Sequence, residues 1–335
     1  MIREHFAPKN TRPFIWRGGA LVAALALAAI CLVPARSDEG GAAAGISLSS
    51  ATSWNSGSSI NAAWKPYRLP FNHVVFDLAQ TGEKNGWAVG ERGLILHFDG
   101  NAWQPVESPV AEPLFALAFP EPSHGWAVGA NGTIVEYAGG AWNEAPKPDK
   151  WHLMSVAFTS PANGWAVGEH GFIVHYDGKD WKPFASPKKV ALNRVAFSGP
   201  NDGWAVGNQG LILHYDGKTW KELPALSNQT LYGVALRSPS DVWAVGEKGT
   251  ILHYDGAAWS KVEAPVARTF LSVALSGATD GYIVGRAGEV LALRNGRWTE
   301  FAEAPTRKTL YGVAYGLDGK PWVAATTRDI FKKRS

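Results

Sequence analysis

Four histidines and four aspartates stand in one register: His97, His175, His214 and His253 precede, by two residues each, Asp99, Asp177, Asp216 and Asp255. Imidazole beside carboxylate is the material of general acid–base catalysis and of divalent-metal sites. Successive members lie 39 residues apart, or twice 39. A ligand set or catalytic pair must converge on one point, whereas residues at a constant interval are carried to equivalent points of successive repeats. The histidines are therefore expected to face a neighbouring repeat or solvent. The aspartates are expected to open Asp-Gly turns, which their side chains cap. No His-x-His, cysteine ligand, carboxylate cluster or Ser/His/Asp order stands out beside them, so no metal, no cofactor and no catalytic residue is expected.

The interval belongs to the whole chain from Trp64 onward. A first aromatic recurs at Trp87, Trp126, Trp165, Trp204, Trp243, Tyr282 and Trp322, in steps of 39 with a final 40. A second recurs at Trp64, Trp103, Trp142, Trp181, Trp220, Trp259 and Trp298, always 39 apart. Each unit offers four short apolar runs, of the types L-x-x-V-A-F, W-A-V-G, I-L-H-Y and a segment after the second Trp. Gly, Asp, Asn and Pro separate them, the punctuation of strands and turns. Four strands of ~5–6 residues with turns of ~4 fill roughly 38 residues. An antiparallel four-stranded sheet repeated radially is a propeller blade. The last unit stops where its second Trp should come, and an orphan "NAAWKPYRLP" at 61–70 precedes the first. One end lacks the strand that the other has in excess. The expected fold is all-β: a seven-bladed β-propeller over residues 61–335, four antiparallel strands per blade, its ring closed by the N-terminal strand pairing into the last blade.

The repeat accounts for the most prominent residues. Burying a Trp removes ~150–250 Å² from water, worth roughly 4–6 kcal/mol as an upper bound. The repeat aromatics therefore need no ligand to explain them. Gly90, Gly93 and their counterparts are expected at positive φ in the hairpin between second and third strands. The string W-A-V-G-x-x-G has the look of a phosphate loop, but strands flank it and no helix follows.

At the N-terminus, Arg3, Lys9, Arg12 and Arg17 precede the apolar run Ala20–Val33 and then "PARS". That describes an export signal over residues 1–35, cut after Ala35, or an N-terminal anchor if it is retained. A lipoprotein processed at Cys31 is the third option. All three deliver the propeller to a periplasm or another extracytoplasmic compartment, the thylakoid lumen in an oxygenic phototroph. Residues 36–60, rich in Gly, Ala and Ser, read as a flexible tether. Cys31 is the only cysteine, so the processed chain forms no disulfide. Residues 1–35 also hold four of the 32 Lys/Arg and one of the 29 Asp/Glu, which leaves 28 of each beyond them. The basic isoelectric point thus belongs to the export segment, and nucleic-acid binding loses its main support.

The units G-W-A-V-G…G-x-I-L-H-Y-D-G-x-x-W resemble those of the photosystem II stability/assembly factor family, propellers of bacterial-neuraminidase-type repeats. The resemblance runs from about Trp64 to the C-terminus. It implies an exported, non-enzymatic scaffold that holds membrane-protein subunits during assembly. The turn here is D-G-x-x-W, one residue shorter than D-x-G-x-x-W, and His stands where Ser or Thr is common before the Asp. Both departures lead away from the Asp-box sialidases.

In an antiparallel blade, the interblade loop and the loop joining strands two and three emerge on one face. The column nine residues after each second Trp, ten in the last blade, reads His73, Glu112, Trp151, Val190, Gln229, Arg268 and Lys308. It varies as a recognition surface on a rigid scaffold varies. Trp151 alone among the propeller tryptophans lies outside the repeat columns, and packing over a neighbouring loop is the structural alternative for it. On the interblade loops, Lys150, Lys188, Lys189, Arg268, Arg307 and Lys308 against Glu112 and Asp149 sum to +4. The loops between strands two and three add +1, counting Arg328, and the opposite face sums to −4. Partner binding is therefore expected at His73, Lys150, Trp151, Lys188, Lys189, Arg268, Arg307 and Lys308, toward an acidic protein surface. The resemblance makes that partner a membrane-protein subunit, and peripheral contact with an anionic membrane fits the same charges. Ordinary solvated loops are the alternative, and the chain is expected to act as a monomeric propeller. The second class of function is a carbohydrate-active propeller, a lectin or sialidase-like hydrolase. A lectin repeats Trp or Tyr at one loop position in several blades, whereas here only Trp151 qualifies.

Overall fold

The computed structural model describes residues 63–277, 279–326 and 329–334. The export signal and tether expected over 1–35 and 36–60 lie outside the described residues. Seven four-stranded antiparallel sheets form, as the repeat requires, with no α-helix among the described residues. Blade 3 stands for the others: from inside outward, Leu153–Ser160, Asn163–Gly168, Ile173–Tyr176 and Trp181–Phe184. Its second strand is buried without alternation, Trp165, Ala166 and Val167 being at most 1% exposed. That follows from its place between two neighbouring blades, where both sheet faces are covered.

The first Trp of each unit is the key between blades. Trp165 meets Tyr215 at 4.8 Å, stacks on Phe197 at 5.8 Å and stands edge-on to Trp220 at 5.8 Å, all three in blade 4. Trp87 makes the same contacts with Phe119, Tyr137 and Trp142 of blade 2. Trp322 makes them with Phe98 and Trp103 of blade 1, which closes the series into a ring. Such interlocking leaves no room for insertions inside a unit.

Closure occurs as expected. Trp64–Arg68 pairs antiparallel with Asp329–Lys333, from Trp64 opposite Lys333 to Arg68 opposite Asp329. The blade 7 sheet thus runs Leu310–Tyr315, Pro321–Ala325, Asp329–Lys333 and Trp64–Arg68. Trp64 is fully buried and donates its Nε1 hydrogen to the Glu303 carbonyl at 2.7 Å. Tyr67 stacks on Trp322 at 5.2 Å.

Two expectations change in detail. Gly93 takes a positive φ of 68°, but Gly90 is extended at −167°, and the second left-handed residue of the hairpin is Arg92 at 56°. Gly90 is glycine because a Cβ there would lie 2.0 Å from the Val74 carbonyl oxygen. The histidines lie on the sheet face that packs on the next blade, opposite the first Trp in register, but their bonds stay within their own blade. His97, His175, His214 and His253 bond, through Nε2, to the start of the second strand in their own blade: Asn85, Asn163, Asp202 and Asp241, at 2.6, 2.7, 2.6 and 2.9 Å. Each ring also lies against its own blade's Trp, at 4.5, 4.2, 4.2 and 4.1 Å. Blade 2 exchanges the partners, with Glu136 on the third strand and His124 on the second, 2.7 Å apart. The aspartates cap their turns as expected: Asp99 Oδ1 accepts from the backbone N–H groups of Asn101 and Ala102 at 2.8 and 2.9 Å.

Candidate partner-binding face

The interblade segments and the hairpins between second and third strands do meet on one face. The backbone N–H of Glu91 donates to Val74 and that of Glu169 to His152, each at 3.0 Å. On its other side each hairpin of blades 1 to 6 abuts the following interblade segment. A Cβ on Gly171, at φ 70°, would sit 1.9 Å from the Lys188 carbonyl oxygen. Each loop is therefore gripped by its neighbours, which makes this variable surface a rigid one.

The expected residues fall into two arcs. Lys150 and Trp151 lie on the segment between blades 2 and 3, and Lys188 and Lys189 between blades 3 and 4. Arg268, then Arg307 and Lys308, then His73 follow on the segments leading into blades 6, 7 and 1. The segment 223–230 between the arcs carries no charge, and the one at 107–113 carries Glu107 and Glu112. Half-buried Trp151 stands edge-on to His170 at 4.3 Å, with Lys150 Nζ 5.7 Å from the indole centre. His170 was absent from the expected set, and it holds a left-handed φ of 55° that Cβ-bearing residues seldom adopt. His152 pins the shelf: its Nδ1 accepts the Asn131 backbone N–H at 2.9 Å, and its own backbone N–H donates to Glu169 at 3.3 Å. His73 lies against Phe71 at 5.5 Å.

The basic excess is smaller than expected. Between strand ends, the interblade segments hold seven Lys/Arg, because Lys147 joins the six expected, and five Asp/Glu, because Glu107, Glu263 and Glu303 join Glu112 and Asp149. The difference is +2. Three of the cations also stand in ion pairs: Lys147 with Glu144 at 3.2 Å, Lys188 with Glu222 at 2.8 Å and Arg268 with Glu289 at 2.9 Å. Burial pushes the Glu289 carboxyl above its ordinary range, and Arg268 pulls it back in part. Lys189 and Arg307 are exposed and have no ion-pair partner among the described residues. Arg328 lies outside the described residues.

The channel holds residues that the repeat reading passed over. The second residue of each inner strand is bulky: Phe76, Phe115, Met154, Asn193, Tyr232, Leu271 and Tyr311. Phe76 touches Phe115 at 5.7 Å and Tyr311 at 5.6 Å. Burial, with Glu247 accepting from its hydroxyl at 3.0 Å, pushes the Tyr232 phenol up to about 12. The third residue is Ala116, Ser155, Gly233, Ser272 or Gly312 in five blades and Asp77 or Arg194 in the other two. Those two form an ion pair, Nη1 to Oδ2 at 3.2 Å. A small column broken by one acid and one base was the available signal. Among the described residues no group of three or more His, Cys, Asp and Glu is placed to hold a metal ion.

A closed ring of seven keyed blades, with its variable loops gathered on one face, defines the class: a seven-bladed β-propeller that carries its individual residues on a shared scaffold. Residues 97–185 and 138–234 match the model of the family described as Photosynthesis system II assembly factor YCF48. Over those residues the chain is similar to that family, and its fold is that of a propeller of bacterial-neuraminidase-type repeats. A solved structure of YCF48 bound to a D1 peptide is 17% identical, with 82% of this chain and 97% of that one covered and a TM-score of 0.69. YCF48 from Cyanidioschyzon merolae is 17% identical over 82% and 99%, with a TM-score of 0.67. A streptogramin B lyase shares the fold at 15% identity over 81% and 97%, with a TM-score of 0.74. No curated protein matches the chain.

Proposed function

We propose that this propeller is a non-catalytic protein-binding scaffold whose interblade face engages an acidic surface of its partner. The observation that carries this reading is the Lys150–Trp151 shelf, a cation and an indole outside the repeat columns on loops held from both sides. Exposed Lys189 and Arg307 extend its polarity around the face. Exposed charges act over ~8 Å at physiological ionic strength and steer more than they hold. The aromatic therefore supplies the anchor. The solved YCF48 complex holds a D1 peptide. By that likeness the partner here is a segment of a membrane-protein subunit, met by a monomeric propeller on the extracytoplasmic side of the membrane. Export follows from residues 1–35, and mass spectrometry of the exported protein is expected to find an N-terminus near Arg36. An intact Met1 would instead make that segment an anchor.

The binding claim is tested with a fluorescent peptide rich in Asp and Glu. Lys150→Glu, Lys189→Glu and Arg307→Glu together are expected to weaken its binding about tenfold or more, and raised salt is expected to mimic them. Glu83→Lys with Glu121→Lys, exposed on the opposite face, is expected to leave binding unchanged. Loss with the second pair alone would assign the partner to the other face. No response to either set would end the reading of a charge-steered partner.

A further inference from the structure

We infer that Lys150, Trp151, His170 and Lys189 form one subsite, built for a peptide segment in which an aromatic side chain sits beside a carboxylate. The inference rests on the interblade face being the partner face and adds what that face selects. Trp151 is not needed by the blades: the interblade core is filled by the two repeat columns, to which it does not belong. Its indole stands edge-on to the His170 ring at 4.3 Å, so the imidazole is a floor and part of the indole stays open. Lys150 Nζ, 5.7 Å from the indole centre, puts a cation on one side. On the other side, the segment 185–191 abuts the loop after His170, where the Lys188 carbonyl leaves no room for a Cβ on Gly171. Lys189, exposed and without an ion-pair partner among the described residues, follows on that segment.

Each component selects a feature of the ligand. An open indole favours an aromatic partner through offset or edge contacts. The ammonium groups of Lys150, beside the indole, and of Lys189, on the segment that abuts the His170 loop, favour a carboxylate near that ring and disfavour lysine there. The floor is ordered before binding, because His152 ties loop to loop through Asn131 and Glu169, so little is lost in arranging it. No other blade repeats the set. The columns that give Trp151 and His170 give Val190 with Gln209, Gln229 with Lys248, and Arg268 with Ala287 in the next three blades. One subsite on the ring fixes where along the partner the propeller sits.

The test measures binding of three labelled peptides that share a Gly/Ser frame around Asp-Phe-Glu, Asp-Ala-Glu or Lys-Phe-Lys. The full chain is expected to prefer Asp-Phe-Glu over Asp-Ala-Glu by about tenfold, the scale of one anchoring aromatic, and to bind Lys-Phe-Lys weakest. Trp151→Ala is expected to erase the preference for Phe, and Trp151→Phe to keep most of it at unchanged stability. Leu317→Ala, a 69% exposed apolar residue on the opposite face, is expected to change nothing. If Trp151→Ala retains the preference while reversing Lys189 and Arg307 abolishes binding, the face is right and the subsite is overturned. If all variants bind alike, the partner face itself is wrong.

Discussion

Arg194, on the inner strand of blade 4, reaches the inner strand of blade 1, three blades away across the ring, and places Nη1 3.2 Å from Asp77 Oδ2. The Asp77 side chain is only 7% exposed and also accepts the Leu117 backbone N–H at 3.4 Å. Arg194 has room to extend because, Asp77 apart, the rest of its ring of positions is Ala, Ser or Gly.

The pair is expected to matter more when halved than when removed. Arg194→Met leaves a buried carboxylate without its cation, at a cost of about 3 kcal/mol, the low end for a broken buried pair because Arg194 is 32% exposed. Adding Asp77→Ala is expected to recover part of that loss. Urea denaturation of both single variants and the double variant gives the coupling, and strictly additive losses would show that the two groups do not brace the ring.

Trp64→Ala tests closure. The residue is fully buried and bonded to Glu303, while Trp259, in the same column of blade 5, is half-buried. Truncation of a buried Trp costs about 3–5 kcal/mol. Calorimetry is expected to show a larger fall in Tm for Trp64→Ala than for Trp259→Ala. Equal falls would mean that the closing strand is no more critical than any outer strand.

Asp241 carries a pH dependence whose sign can be worked out. Burial raises its carboxyl, but bonds from His253 at 2.9 Å, from Arg237 and from Trp243 Nε1 at 2.7 Å outweigh burial and hold it below the ordinary range. A carboxyl lowered by folding stabilises fully above its unfolded value, about 3.9. That contribution is lost as pH falls through the folded value. Asp241→Asn is expected to cost about 1–3 kcal/mol at neutral pH and to flatten the loss of stability below about pH 4. Parallel acid limbs for the two proteins would remove Asp241 from the account.

Gly171→Ala is expected to disturb the face from beneath. The added Cβ meets the Lys188 carbonyl at 1.9 Å with φ at 70°, so the segment bearing Lys188 and Lys189 must shift. The cost is more than about 1 kcal/mol, and affinity for an acidic peptide is expected to fall with it. Unchanged stability and affinity would show that this segment moves freely.

The blade count, the strand order, the closing strand and the aspartate-capped turns were all legible from residue types and spacing. Each rests on short-range pattern, and seven repetitions of a 39-residue unit average out local ambiguity. A bond such as Asp99 Oδ1 to the Ala102 N–H spans three residues and is written where it forms. The histidines show where that legibility ends. Their column announced a repeated role, but the partner appeared only once the second and third strands were laid in register, with blade 2 keeping the bond by exchanging its ends. On the interblade face, sequence supplied the cations, while folding engaged Lys188 with Glu222 and Arg268 with Glu289 and set Trp151 on His170. Asp77 and Arg194, 117 residues apart, are the limiting case. A period says which positions are equivalent, not which of them turn toward the axis. Only ring closure carries one blade's acid within reach of another blade's base.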